Sequence, residues 1–148
     1  HNLRVVGTDL FFAADDGGTG VELFKTNTAT TGLVQDITGD GTDSSPAELA
    51  DFGGILVFQA DADTDGPDPW QSDGTPQGTA VWTGPNGELA DSDPAGFVVF
   101  EGELFFAASN SSSGRELWRV QSLTSLFPEV KDINQGAAGS NPAELAAL

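Results

Sequence analysis

The chain has no cysteine, no methionine and no tyrosine, and its one histidine, His1, is the first residue. Without cysteine there is no disulfide, no thiolate nucleophile and no sulfur ligand for zinc. A single histidine at a terminus leaves no Ser-His-Asp triad to assemble, and no glycine-rich phosphate loop is present. Positive charge is equally scarce. Arg4, Lys25, Arg115, Arg119 and Lys131 stand against 23 acidic residues, for a net charge of −18. Nucleic acid and anionic membrane surfaces both require a basic face, which five scattered cations do not form. No apolar run approaches the roughly 18 residues of a membrane span, so no membrane insertion is expected. The natural counterions are metal cations or a salty medium, and so acidic a surface also serves solubility. A first residue other than methionine suggests processing or a longer parent protein.

What is present is apolar residues, at 38%, including ten Phe and three Trp, enough to build a core. Nineteen Gly and eight Pro favour turns and short strands over long helices. The order of these residues repeats. GTDLFFAADD, GGILVFQADA and EGELFFAASN align through Leu10, Leu56 and Leu104, at spacings of 46 and 48. GVELFK, GPDPWQ and GRELWR follow at Gly20, Gly66 and Gly114 with the same spacings. LVQDI at Leu33 matches EVKDI at Glu129, and AVWTG at Ala80 is a weaker middle copy. SSPAELADF, SDPAGFVVF and SNPAELAAL align through Pro46, Pro94 and Pro142, each 48 apart.

Each unit holds four strand-like stretches. In the middle copy they are ILVFQA (55–60), PDPWQS (67–72), TAVWTG (79–84) and AGFVVF (95–100). All are short, rich in β-branched and aromatic residues, and bounded by Gly, Asp, Asn and Pro. No stretch keeps a helical spacing over three turns. The expectation is an all-β chain, residues 1–148, of three tandem four-stranded units of 46–48 residues, approximately 3–48, 49–96 and 97–148. That period with four strands matches β-propeller blades, whose repeats run about 40 to 50 residues. A β-solenoid usually has shorter coils, and a β-sandwich would leave the repetition unexplained.

At GVELFKTNTATTGLVQDI, QSDGTPQGTAVW and GRELWRV the chain resembles the ELWxxDGT repeat family of large secreted bacterial proteins. Their units read as an LFF strand, a polar Gly loop, an ELW strand, a DGT turn and an LVKDI strand. The resemblance covers nearly the whole chain as three units, none of them complete. Glu116, Leu117 and Trp118 keep ELW without the turn, while Ser72 to Thr79 keep the turn after DPW. It implies a propeller-like extracellular architecture and no defined activity.

DADTDG, residues 61–66, puts Asp61, Asp63 and Asp65 at alternate positions in a hairpin loop of the middle unit. Calcium takes six to eight oxygens, and EF-hand-type loops supply them from positions 1, 3, 5 and a position-7 carbonyl, with glycine at 6. Here Asp61, Asp63 and Asp65 fill positions 1, 3 and 5, Gly66 falls at 6, the Pro67 carbonyl at 7, and Asp68 follows. The loop also resembles the calcium hairpins of integrin α-subunit propellers. Position 9 is Pro69, not an acidic residue. The other copies carry fewer carboxylates: Asp15 and Asp16 in the first, none in the third. One Ca²⁺ site is therefore expected, not three.

Phe24, Trp70 and Trp118 share a repeat position, as do Phe12, Phe58 and Phe106, and recurrence marks them as core between units. Trp82 aligns with Gln35 and Lys131, which predicts an exposed face. It would then stack on a sugar or anchor a partner, or else be an edge residue covered by the following connection. Glu22 and Glu116, with Asp68 between them, recur at one position, favouring a structural role such as bonding neighbouring backbone. The reading is a non-catalytic secreted or cell-surface module for adhesion or assembly, stabilised by Ca²⁺. A carbohydrate-binding module using Trp82, or a fragment of a propeller enzyme, is the alternative. Three blades are too few to close a ring of about four to eight. Asn2-Leu3 aligns with Glu48-Leu49 and Glu144-Leu145. The expected partners are therefore further blades, another protein, or a copy of the chain completing a six-bladed ring.

Overall fold

The computed structural model describes residues 3–63, 65–82, 89–123 and 133–147, with 129–131 as backbone. His1, Asn2, Thr64 and the end of the expected third stretch, 83–84, lie outside the described residues. The described chain is all-β, without a helix. Its first sheet comprises β1 (Leu3–Val6), β2 (Asp9–Asp15), β3 (Val21–Thr26) and β4 (Thr31–Gln35). The second comprises β5 (Ala47–Phe52), β6 (Ile55–Ala60), β7 (Asp68–Ser72) and β8 (Ala80–Val81). The third comprises β9 (Ala95–Phe100), β10 (Glu103–Asn110), β11 (Gly114–Val120) and β12 (Glu129–Lys131). Each sheet is antiparallel with its strands in chain order. The sheets do not close into a ring or barrel; β1 lies beside β5, and β5 beside β9.

The strand AGFVVF, expected to end the middle unit, instead opens the third sheet: Phe100 pairs with Glu103 and Val99 with Leu104. The expected boundaries at 48/49 and 96/97 therefore cut through β5 and β9. The cause is turn geometry. Gly53 and Gly54 both have positive φ, as do Glu101 and Gly102, the requirement of a two-residue turn that matches strand twist. Such a turn pairs each strand with the one just after it.

Two apolar cores fill the spaces between sheets. Phe11, Leu23 and Val34 of the first sheet meet Leu49, Leu56, Phe58 and Trp70 of the second. Phe52, Val57 and Trp82 of the second meet Leu104, Phe106, Trp118 and Val120 of the third. Alternation along β6 divides the work: Leu56, Phe58 and Ala60 join one core and Val57 the other. The recurrent aromatics Phe58, Trp70, Phe106 and Trp118 are buried, as their recurrence predicts. Their first-sheet counterparts, Phe12 and Phe24, have no sheet on that side. They stay half-buried and stack on each other with centroids 6.0 Å apart. On the far side of the third sheet, Phe105 and Leu117 are likewise half-buried, where their counterparts Phe11 and Leu23 are buried.

Candidate metal centre

The loop between β6 and β7 is curled by its own carboxylates. Asp61 Oδ1 accepts the Asp63 N–H at 3.2 Å, and Asp63 Oδ1 accepts the Asp65 N–H at 2.9 Å. One carboxylate oxygen each from Asp63, Asp65 and Asp91 then lie within 4.8 Å of one another, a group that could hold a metal ion. Asp91 comes from the connection between β8 and β9, 26 residues after Asp65. All three are exposed. The ion pairs among the described residues are Lys25–Asp9, Arg115–Asp93 and Arg119–Glu103, so no basic side chain neutralises the group there.

Of the five expected ligands the structure brings together Asp63 and Asp65. Asp61 is turned to the Asp63 amide. The Pro67 carbonyl accepts the Asp93 N–H at 3.1 Å. Asp68 Oδ1 accepts the Asp91 N–H at 2.8 Å, tying the two segments side by side. Burial pushes the Asp68 carboxyl above its ordinary value; the Asp91 amide opposes this, and the charges of Asp91, Asp63 and Asp61 add to it.

Asp91 was not foreseen as a ligand, though the repeat carries a signal for it. It stands 48 residues after Asp43, whose Oδ1 accepts the Val21 N–H at 2.8 Å. The residue matching Val21 in the middle unit is Pro67, which has no N–H. Removing that donor frees the aspartate at this position for the neighbouring loop.

The recurrent acid has the structural role its recurrence suggests. Glu22 is buried and accepts from the Ile37 N–H (3.0 Å), the Ser44 N–H (3.1 Å) and Ser44 Oγ (2.6 Å). Glu116 accepts from the equivalent Ile133 N–H, Ser140 N–H and Ser140 Oγ. These bonds tie each connection to the sheet it leaves. Burial outweighs them at Glu22 and raises its carboxyl. At Glu116 the Ser140 hydroxyl leads and lowers it. Ile37 packs against a core, whereas Ile133 is exposed, so the first connection is the better enclosed of the two.

Of the two readings of Trp82, the exposed face is corrected and the covered edge position fits its burial. Trp82 is 6% exposed, its ring 6.0 Å from Phe106, and its Nε1 donates to the Leu123 carbonyl at 3.3 Å. Strand pairing explains the error. Trp70 faces Val81 as Phe24 faces Leu33, so Trp82 corresponds to buried Val34, not to Gln35. The sequence alignment had slipped by one residue, which turns every side chain to the opposite face. A buried indole offers no stacking platform, so the carbohydrate reading loses its residue.

Comparisons with protein-family models, curated proteins and solved structures give no match. The functional reading therefore rests on the residues and geometry above.

Proposed function

We propose that the chain is a non-catalytic β-repeat module, propeller-like and secreted or cell-surface, that serves adhesion or assembly and is stabilised by one Ca²⁺ at Asp63, Asp65 and Asp91. The observation that carries it is the meeting of three carboxylates from two separate segments, with no cationic side chain among the described residues to neutralise them. An all-oxygen set without nitrogen or sulfur suits a hard cation. Open, irregular loops suit Ca²⁺ better than Mg²⁺, which demands near-ideal octahedral geometry. Exposed sites with few protein ligands belong to the weak class, about 10⁻⁴ to 10⁻³ M, found in extracellular modules. The resemblance to secreted ELWxxDGT repeats agrees with that setting. Melting in chelator and in millimolar Ca²⁺ tests the reading. With free Ca²⁺ about ten times its Kd the melting temperature should rise by about 4–5 °C. Asp91→Asn should remove the rise. No shift in the parent chain rejects the site.

Assembly is supported by the half-buried Phe12, Phe24, Phe105 and Leu117, at positions that are buried wherever another sheet covers them. Further blades or a second copy of the chain would cover them in the same way. Sedimentation at micromolar concentration should show self-association or capture of a blade-bearing partner. A stably folded, monodisperse monomer with no partner overturns the assembly reading.

A further inference from the structure

We infer that a divalent cation at Asp63, Asp65 and Asp91 closes the junction between the second and third sheets, replacing the glutamate clamp that closes the other two connections. This rests on the cation reading above and adds what the cation does.

The three connections share part of their fastening. Ser45, Asp93 and Asn141 each donate an N–H to the carbonyl of Val21, Pro67 and Arg115, at 3.0, 3.1 and 3.0 Å. The Ser44 and Ser92 carbonyls accept the Asp61 and Ser109 amides at 2.9 and 2.7 Å. Among the described residues, the middle connection lacks the bonding of acid to serine. Asp68, one methylene shorter than Glu22, accepts the Asp91 amide and does not reach Ser92. Ser92 Oγ is consequently fully buried without a partner, where Ser44 Oγ bonds Glu22. That orphaned hydroxyl is on the residue next to Asp91 and occupies the position that faces the acid in the other two copies.

The glycine before each of the Val21, Pro67 and Arg115 carbonyls differs as well. A Cβ on Gly20 would meet the Thr42 carbonyl oxygen at 2.6 Å, and one on Gly114 the Gly139 nitrogen at 2.5 Å. One on Gly66 meets nothing within 4 Å among the described residues. No described residue therefore crowds Gly66, which sits in the chain directly after Asp65. Pro67 removes the amide that would have held the aspartate of this connection. The lost clamp, the orphaned hydroxyl and the freed carboxylate lie where residues 66–68 meet residues 91–92. A cation binding there joins the β6–β7 loop of the second sheet to the segment leading into β9 of the third.

Amide exchange followed by NMR, with Ca²⁺ as the probe, tests this. With free Ca²⁺ about ten times its Kd, exchange at Asp93 and Ser109 should slow by about tenfold. The Ser45 amide, in the matching bond of the first connection, should not respond. Asp91→Asn should abolish the response. Asp68→Glu, which supplies the longer carboxylate, should protect Asp93 and Ser109 in chelator alone. Calorimetry showing no Ca²⁺ binding overturns the cation reading and this inference together. Binding that depends on Asp91 but slows neither amide, or slows all three equally, overturns the junction role and leaves the cation reading standing.

Discussion

The first connection, where it enters β5, and the middle one, where it enters β9, make the same backbone bond but are secured by different side chains. In the first, a buried carboxylate meets three donors that the protein itself supplies. In the middle, the acid is one methylene shorter, a serine hydroxyl is left over, and three carboxylates crowd the surface. A buried network is satisfied once, at folding, and costs heavily if a partner is lost. A surface carboxylate group repels itself until an external ion arrives. The difference teaches that a tandem repeat can keep the backbone bond of a joint while changing the side chains around it.

The sharpest way to break the comparison is to remove both acids in turn. Glu22→Ala strands two backbone amides and a hydroxyl inside the protein, and should cost about 3 kcal/mol in urea melts. Asp68→Ala, removing one bond at a half-exposed position, should cost about 1 kcal/mol in the absence of Ca²⁺. Equal losses would mean the two joints do not differ. Asp68→Glu should move the middle joint toward its neighbours, with a gain of about 1 kcal/mol in chelator as Ser92 Oγ finds an acceptor. The same change in Ca²⁺ should gain less.

The smallest effect separates the two glutamate joints by pH. Glu22 has its folded pKa raised above the ordinary 4.5 by burial. Its contribution is therefore full below pH 4.5 and is lost as pH rises through the folded value. Glu116, lowered chiefly by the Ser140 hydroxyl, contributes above 4.5 and loses that as pH falls through its folded value. Glu22→Gln should flatten the stability curve on the high side of 4.5, and Glu116→Gln on the low side. Stability measured from about pH 3 to pH 7 checks both slopes.

Strand content, unit number and most of the core were legible because recurrence does what an alignment of relatives would do. Leu56, Phe58 and Trp70 mark one face by alternation and by their copies. Which sheet AGFVVF joins was not legible from periodicity, since it has a strand stretch on either side. The Gly53-Gly54 and Glu101-Gly102 turns carried that information. Trp82 was misread because Ala80-Val81 resembles Leu33-Val34, and only hydrogen-bond register exposes the one-residue offset. Of the metal site, the sequence showed the loop and not its partner. Asp91 lies across a long connection, and its availability follows from a proline that looks unremarkable until Val21 is seen donating to Asp43.

The strictly sequential strand order bears on how the chain acquires its shape. Among the described residues, every hydrogen-bonded ladder joins strands that are neighbours in the chain. Loop-closure entropy for each pairing is therefore small, and contact order is low for an all-β protein. Long-range ordering comes from the apolar faces where one sheet settles on the next and from a few polar bonds between sheets, such as Arg4 Nε to the Leu49 carbonyl and the Gly96 N–H to Glu48. Stability then behaves as a sum of unit terms and nearest-neighbour terms, as in other linear arrays. Damage to the core beside the first sheet is felt by the second and reaches the third only through it. A sheet emerging during synthesis can complete its backbone bonding at once and then serve as the template on which its successor condenses.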